Sequence, residues 1–185
     1  MSQLTKLALE NSLKKLLTQK PLNRITISEI TNDCGVNRMT FYYHFRDIYD
    51  LIRWSCTKEA EMILGEIDLN ASWQQGMTEI LHRLRNNRLV LINVYRCISR
   101  EEVEQFLHII LDTLIGNVIS ALSAGMNIQE ADKAFVARIY SYAFVGVILD
   151  WVRDDMREDE RRLVERFSLA IKDSVHVSLE NFRKP

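Results

Sequence analysis

Residues 26–46 read TISEITNDCGVNRMTFYYHFR, and the fold turns on how this stretch is parsed. Thr26 and Glu29 stand three apart, the spacing at which each side chain reaches the other's orphan backbone N–H at a helix start. A short helix therefore begins here, with Ile27, Ile30 and Thr31 facing inward. It stops at Gly35, because glycine enters the left-handed conformation cheaply. Asn37 is placed to cap a second short helix. A helix of two turns cannot bury itself by length, so Phe41 and Phe45, four apart, must anchor one face of it. Arg38, Met39, Tyr42, Tyr43 and His44 are left on the remaining arc. Two short helices joined by a tight turn make a helix-turn-helix, whose second helix enters the major groove of DNA and touches base edges with its first residues. Tyrosine suits that surface, since it offers a flat apolar body to thymine methyl groups and a hydroxyl to phosphate oxygens.

Upstream, Leu4, Leu7, Ala8, Leu13, Leu16 and Leu17 recur at helical spacing with Lys6, Glu10, Lys14 and Lys15 facing elsewhere, so one amphipathic helix precedes Pro21. Downstream, Asp47 caps a fourth helix whose apolar positions, Ile48, Leu51, Ile52, Ser55, Cys56, Met62 and Ile63, run to about Ile67. DLNAS (68–72) is the expected bend. Further helices are expected at 72–86, 88–98, 101–124, 130–155 and 159–182. With only 6 Gly and 2 Pro the chain has little material for strand turns. The predicted fold is all-α: an N-terminal three-helix, helix-turn-helix DNA-binding domain over residues 1–47, then an antiparallel helical bundle over 48–185 for dimerisation and effector sensing.

Composition excludes several classes. An apolar share of 47 % and a charged share of 26 % are those of an ordinary folded protein. The longest apolar run, Ala143–Leu149, falls short of the ~20 residues of a membrane span, and no secretory leader is read at the amino terminus. Cys34, Cys56 and Cys97 are odd in number and widely spaced, as expected of free thiols in a reducing cytoplasm. Residues 1–53 carry eight Lys or Arg against five acids, a net of +3, within a chain of overall charge −1. A basic head on an acidic body suits a polyanionic partner. His44, His82, His108 and His176 are scattered and fit no HExxH, GxSxG, GxGxxG or P-loop spacing, so no catalysis, metal or cofactor is expected. The acidic residues Asp154, Asp155, Glu158, Asp159 and Glu160 are interleaved with Arg153, Arg157, Arg161 and Arg162, which reads as a self-paired, solvated turn.

The stretch ITISEITNDCGVNRMTFYYHFRDIYDL, with its helix-turn-helix, aromatic-His-Phe segment and following helix, resembles the DNA-binding domain of the tetracycline-repressor (TetR) family of bacterial transcription regulators. The resemblance covers about residues 4–55. It implies base contacts from Asn37, Arg38, Thr40 and Tyr43 and phosphate contacts from Thr26, Ser28, Tyr42 and His44. Two positions depart from the family pattern. Ile48 stands where Lys is usual, removing one phosphate contact that Arg46 is placed to replace, and Thr31 stands where Ala is common.

The resemblance also implies a homodimer on a palindromic double-stranded DNA operator. One recognition helix offers too few base contacts for the ~4–10 kcal/mol that separate specific from non-specific binding, whereas two related by a dyad read a near-palindrome. The helix at 130–155 carries apolar residues on more than one face (Phe135, Ile139, Ala143 and Val147; Phe144, Ile148 and Trp151), and that at 159–182 carries one stripe. The expected interface is Phe144, Ile148, Trp151, Phe167, Ile171 and Val175; plain intrachain core is the alternative. Trp73, His82, Tyr95, His108, Tyr140 and Tyr142, polar-tipped residues in apolar helices, are the candidates for holding a small-molecule effector. The segment MTFYYHF running into DIYDL and Trp54 is similar to the subgroup that includes activators of dihydroxyacetone-kinase operons, in which the body engages a co-activator protein. A protein-interaction module with weak or no DNA binding is the competing function.

Overall fold

The computed structural model describes residues 2–66, 72–171 and 173–184. Their regular elements are all helical: α1 (Ser2–Leu17), α2 (Ile27–Asp33), α3 (Arg38–His44), α4 (Ile48–Glu66), α5 (Trp73–Asn86), α6 (Arg88–Tyr95), α7 (Arg100–Leu122), α8 (Glu130–Arg153), α9 (Glu160–Ile171) and α10 (Ser174–Asn181), with a 3-10 turn at Leu22–Arg24. Local chemistry sets most of the starts. Capping boxes open α2 (Thr26 and Glu29), α5 (Ser72 and Gln75) and α7 (Ser99 and Glu102). Of the expected bend at 68–72, residues 68–71 lie outside the described residues, and Ser72 is the cap of α5.

Burial divides the helices between two cores. The first gathers Leu9, Leu13 and Leu17 of α1, Ile30 of α2, Phe41 and Phe45, Leu51 and Ile52 of α4, and Val94 of α6. The second gathers Ala60 and Ile63 of α4, Met77, Ile80 and Leu81 of α5, the inner faces of α7 and α8, and Leu163, Val164 and Phe167 of α9. α4 thus belongs to both. α6 ties them a second time, because the Asn93 side-chain amide donates to the Leu17 carbonyl at the end of α1 (2.8 Å). α7 and α8 are each long and apolar enough to cross a membrane, with a mean hydropathy of 1.5, although neither is an unbroken apolar run. Here they pack on one another as core helices.

The helix expected at 159–182 is two helices. α9 ends at Ile171, and α10 starts after Asp173, which sits in the left-handed region at φ 59°. The connection between α8 and α9 is also tightly specified, with Asp155 and Met156 both at positive φ. Met156 is buried, the Trp151 indole N–H donates to the Glu158 carbonyl (2.9 Å), and Arg88 of α6 donates to the Asp155 carbonyl (2.8 Å). Arg96, just past α6, pairs with the Asp155 carboxylate at 3.5 Å.

An ionic cluster joins α1 to α4. The Glu10 carboxylate, on a residue only 1 % exposed, accepts from Ser55 Oγ (2.8 Å) and Lys58 Nζ (2.6 Å) and pairs with Lys14 Nζ (2.9 Å), which also reaches Glu59 (2.9 Å). Burial alone raises the pKa of this carboxyl, but the Lys58, Lys14 and Ser55 contacts outweigh it and hold it below the ordinary 4.5. The folded protein therefore takes up this proton less readily than the unfolded chain. The cluster's contribution is complete above the unfolded value and is lost as pH falls through the lower, folded one. Glu10→Gln is expected to lower stability near pH 7 by ~2 kcal/mol and to flatten the acid limb of a plot of urea midpoint against pH.

Candidate nucleic-acid interface

The α2–α3 unit is assembled from short-range bonds. The Thr26 hydroxyl accepts from the Glu29 N–H (3.3 Å) and donates to the Glu29 carboxylate (3.0 Å), which also accepts from the Thr26 N–H (2.9 Å). The Lys20 ammonium, and after it the Thr26 N–H and hydroxyl, hold the Glu29 carboxyl down to about 2. Thr31 is buried, and its hydroxyl donates to the Ser28 carbonyl (3.2 Å), so the bond that its departure from Ala introduces is satisfied. Gly35 turns the chain at φ 72°, and the Val36 N–H closes the turn on the Thr31 carbonyl (3.0 Å). Asn37 Oδ1 then accepts from the Thr40 N–H (2.7 Å) and hydroxyl (3.0 Å), starting α3.

Two rings fix α3 in place. Phe41 is fully buried and Phe45 nearly so, their centroids 6.0 Å apart, and Phe45 leans on Trp54 of α4 at 5.7 Å. The Lys6 ammonium lies over both Phe45 and Trp54, and Lys58 covers Trp54 as well, so cation–π contacts hold α1 against this aromatic stack. With Phe41 and Phe45 committed inward, the opposite arc must face out. Tyr43 is 82 % exposed and Met39 77 %, and Arg38 and Tyr42 are exposed beside them with guanidinium and hydroxyl 3.5 Å apart. Asn37 is exposed; Thr40 and His44 are half-buried, and the His44 ring stands edge-on to Tyr43 at 4.9 Å.

The helix that follows is anchored similarly. Asp47 Oδ1 accepts from the Asp50 N–H (2.7 Å), and Asp50 accepts in turn from the Arg46 N–H (3.1 Å). Ile48, where a lysine was the usual residue, packs half-buried against the first core. The Arg46 side chain is exposed next to it, 3.9 Å from Asp50. Ser28 is half-buried on the second residue of α2. Thr26, Ser28, Asn37, Arg38, Thr40, Tyr42, Tyr43, His44 and Arg46 therefore belong to one continuous piece of chain, α2 to the start of α4. Met39, four residues before Tyr43 and exposed on the same arc, stands beside the expected contact residues. Tyr49 is exposed in the first turn of α4.

Elsewhere the structure distributes the expected residues over several environments. Phe144, Ile148, Trp151 and Phe167, expected at a dimer interface, are buried inside the protomer, because α7 and α9 close over that face of α8 and the Phe144 and Phe167 rings stack at 4.3 Å. Ile171 and Val175 are half-buried against the same core. The exposed apolar row of α8 is the other one, Phe135, Ile139, Tyr142 and Val147. The six effector candidates do not converge either. His82 pairs with Glu160 (3.1 Å), whose carboxyl is held at about 2 by His82, its own backbone N–H and Arg85. His108 Nδ1 lies 3.1 Å from both Asp112 and Ser141, Tyr142 points outward beside it, and Tyr95 packs near Ile98 and Val103. Only Trp73 and Tyr140 meet, at a cavity of about 330 Å³ between α5, α7, α8 and the α9–α10 junction.

Comparison with known proteins agrees with this architecture. The family model "Transcriptional regulator C-terminal region" matches residues 71–173, and "Bacterial regulatory proteins, tetR family" matches residues 12–53. The chain belongs to the TetR family of transcriptional regulators. A curated relative, the HTH-type dhaKLM operon transcriptional activator DhaS of Lactococcus lactis, is 20 % identical over 148 residues, spanning 79 % of this chain and 78 % of that protein. Among solved structures, the dihydroxyacetone kinase operon activator DhaS superposes with a TM-score of 0.73 at 17 % identity, covering 97 % of this chain and 98 % of that one. A TetR transcriptional regulator from Streptococcus agalactiae gives 0.61 at 16 % identity, covering 99 % and 96 %. At these identities the likeness speaks for the TetR fold alone.

Asn37 tests the local construction of this TetR head. Asn37→Ala removes the cap of α3 and is expected to cost about 1 kcal/mol, read as a lower urea midpoint, whereas Asn37→Asp restores it.

Proposed function

We propose that this regulator binds a near-palindromic duplex operator as a homodimer, laying α3 of each protomer in the major groove. The observation that carries this reading is the division of α3: Phe41 and Phe45 are locked into the head core, while Arg38, Met39, Tyr42 and Tyr43 stand unshielded on the opposite arc. Arg38, Thr40 and Tyr43, with the free amide of Asn37, read base edges. Ser28, Tyr42, His44 and Arg46 hold phosphates, as does Thr26 once its hydroxyl leaves the Glu29 carboxylate. The division of labour that supports this reading, a DNA-binding head over 1–47 and a regulatory body over 48–185, is bridged by α4, which gives Leu51 and Ile52 to one core and Ala60 and Ile63 to the other.

The second protomer docks on the outward row of α8. Phe135, Ile139, Tyr142 and Val147 are large apolar groups left in water, interspersed with Ala143 and Gly146, whose small size lets a partner helix approach. Leu169 of α9 and Val177 of α10 are exposed as well. Ile139→Asp is expected to convert the dimer to monomers in sedimentation equilibrium and to abolish operator retention with the helical signal intact.

Occupancy of the cavity beside Trp73 and Tyr140 adjusts operator affinity, in the cytoplasm, with no cofactor. The DhaS relative, named a transcriptional activator, supports a second reading for the outcome, activation rather than repression. Selection of fragments from a random duplex pool tests the central claim. A recovered palindrome, bound with a log–log salt slope near −0.9 per neutralised phosphate, is the expected result; no enriched site, or an affinity indifferent to salt, sinks it. Arg38→Ala is expected to relax preference at one base pair of each half-site by ~1–3 kcal/mol, while Tyr42→Phe weakens all sites alike.

A further inference from the structure

Resting on the reading that α3 lies in the major groove, we propose that Met39 selects thymine in the operator by packing its side chain against the 5-methyl group of that base. Met39 is the second residue of α3, in the turn whose side chains meet base edges when such a helix docks. Among the described residues, Tyr43 and Met39 are the two most exposed large apolar side chains. They stand four apart on one arc of one short helix, so they form a stripe and are not scattered singly over the surface. The inward side of α3 is closed by Phe41 and Phe45, and the fold itself gains nothing from an unbranched apolar side chain left in water on the other side.

The hydrogen-bonding groups around Met39 leave an A·T pair to be recognised by that methyl. Asparagine reads adenine with both halves of its amide, accepting from N6 and donating to N7. Asn37 Oδ1 already accepts from the Thr40 N–H (2.7 Å) and hydroxyl (3.0 Å), which occupies both of its lone pairs. Its NH2 remains, and Arg38 beside it also only donates, with a guanidinium nitrogen 3.5 Å from the Tyr42 hydroxyl. Such donors match the O6 and N7 acceptors of guanine. α3 carries no Asp or Glu, so the cytosine amine meets no charged acceptor there. The thymine methyl is the one apolar feature that an unmodified base pair shows in the major groove. A flexible, polarisable thioether settles on it without needing a partner for any polar hydrogen.

Removal of the methyl alone tests this on the full-length protein. In the operator recovered from the random duplex pool, each thymine of a half-site is replaced in turn by deoxyuridine, which keeps every hydrogen-bonding group in place. At one position the wild-type protein is expected to lose roughly fourfold in affinity, the worth of one buried methyl group. Met39→Ala is expected to bind the thymine duplex more weakly and to lose nothing further at that position, so the two changes are not additive. Its urea midpoint stays that of the wild type, because the side chain it removes touches water. Met39→Leu, with an apolar side chain of similar size, keeps the sensitivity to uridine. Equal uridine sensitivity of the wild type and Met39→Ala at every position, or a recovered half-site without thymine, overturns the assignment of Met39 and leaves α3 in the groove. A pool that yields no site overturns the docking of α3 itself.

Discussion

One helix, α4, is buried twice by two different sets of neighbours, and the placement of α3 depends on it. Leu51 and Ile52 close the head core, and Ala60 and Ile63, two to three turns later, enter the core of the body. A helix advances about 1.5 Å per residue and resists bending, so the two cores are held at a fixed separation and rotation. The Glu10 cluster adds direction to this constraint. Apolar packing tolerates sliding, but a carboxylate that must meet Lys14, Ser55 and Lys58 together admits one register of α1 on α4.

The recognition surface is accordingly a tertiary object. Seven residues of α3 are too few to be helical alone, since the first turn costs more than it returns. The Asn37 cap, the Gly35 turn and the Phe41–Phe45–Trp54 stack supply the difference, with Lys6 and Lys58 covering the outer rings. Every one of those groups lies on the inner or flanking side of α3. Its outer arc is thereby free of structural duty, and residues such as Arg38 and Tyr43 can be chosen for what they touch in another molecule.

Much of this was legible in the sequence because it is local. Caps and turns are set by side chains within three residues of the backbone they satisfy, so Thr26 with Glu29, Gly35, Asn37 and Asp47 announce the helix-turn-helix in order, and the starts of α5, α7 and α8 fall within a residue of expectation. What was not legible depends on neighbours. α8 is apolar on two faces, and periodicity alone does not say that α7 and α9 cover Phe144 and Ile148 while Ile139 and Tyr142 stay in water. His108 met Ser141 across the α7–α8 crossing, which no spacing encodes, in addition to Asp112 four residues on in its own helix. The interruption before α10 carries neither Gly nor Pro; Asp173 takes the left-handed conformation there, one that aspartate tolerates better than most residues. Ile48, where the resemblance leads one to expect lysine, packs against the head core.

The α8–α9 connection has a mechanical consequence. Two successive non-glycine residues, Asp155 and Met156, persist at positive φ only because their surroundings dictate it. Part of that dictation comes from Arg88 and Arg96, at either end of α6, while Asn93 of α6 grips the last turn of α1. The corner is riveted to the same short lever that bears on the head. α8 therefore has no slack at its lower end: a tilt imposed along its outward row either shears the arginine rivets or swings α6, and with it the seat on which α1 rests.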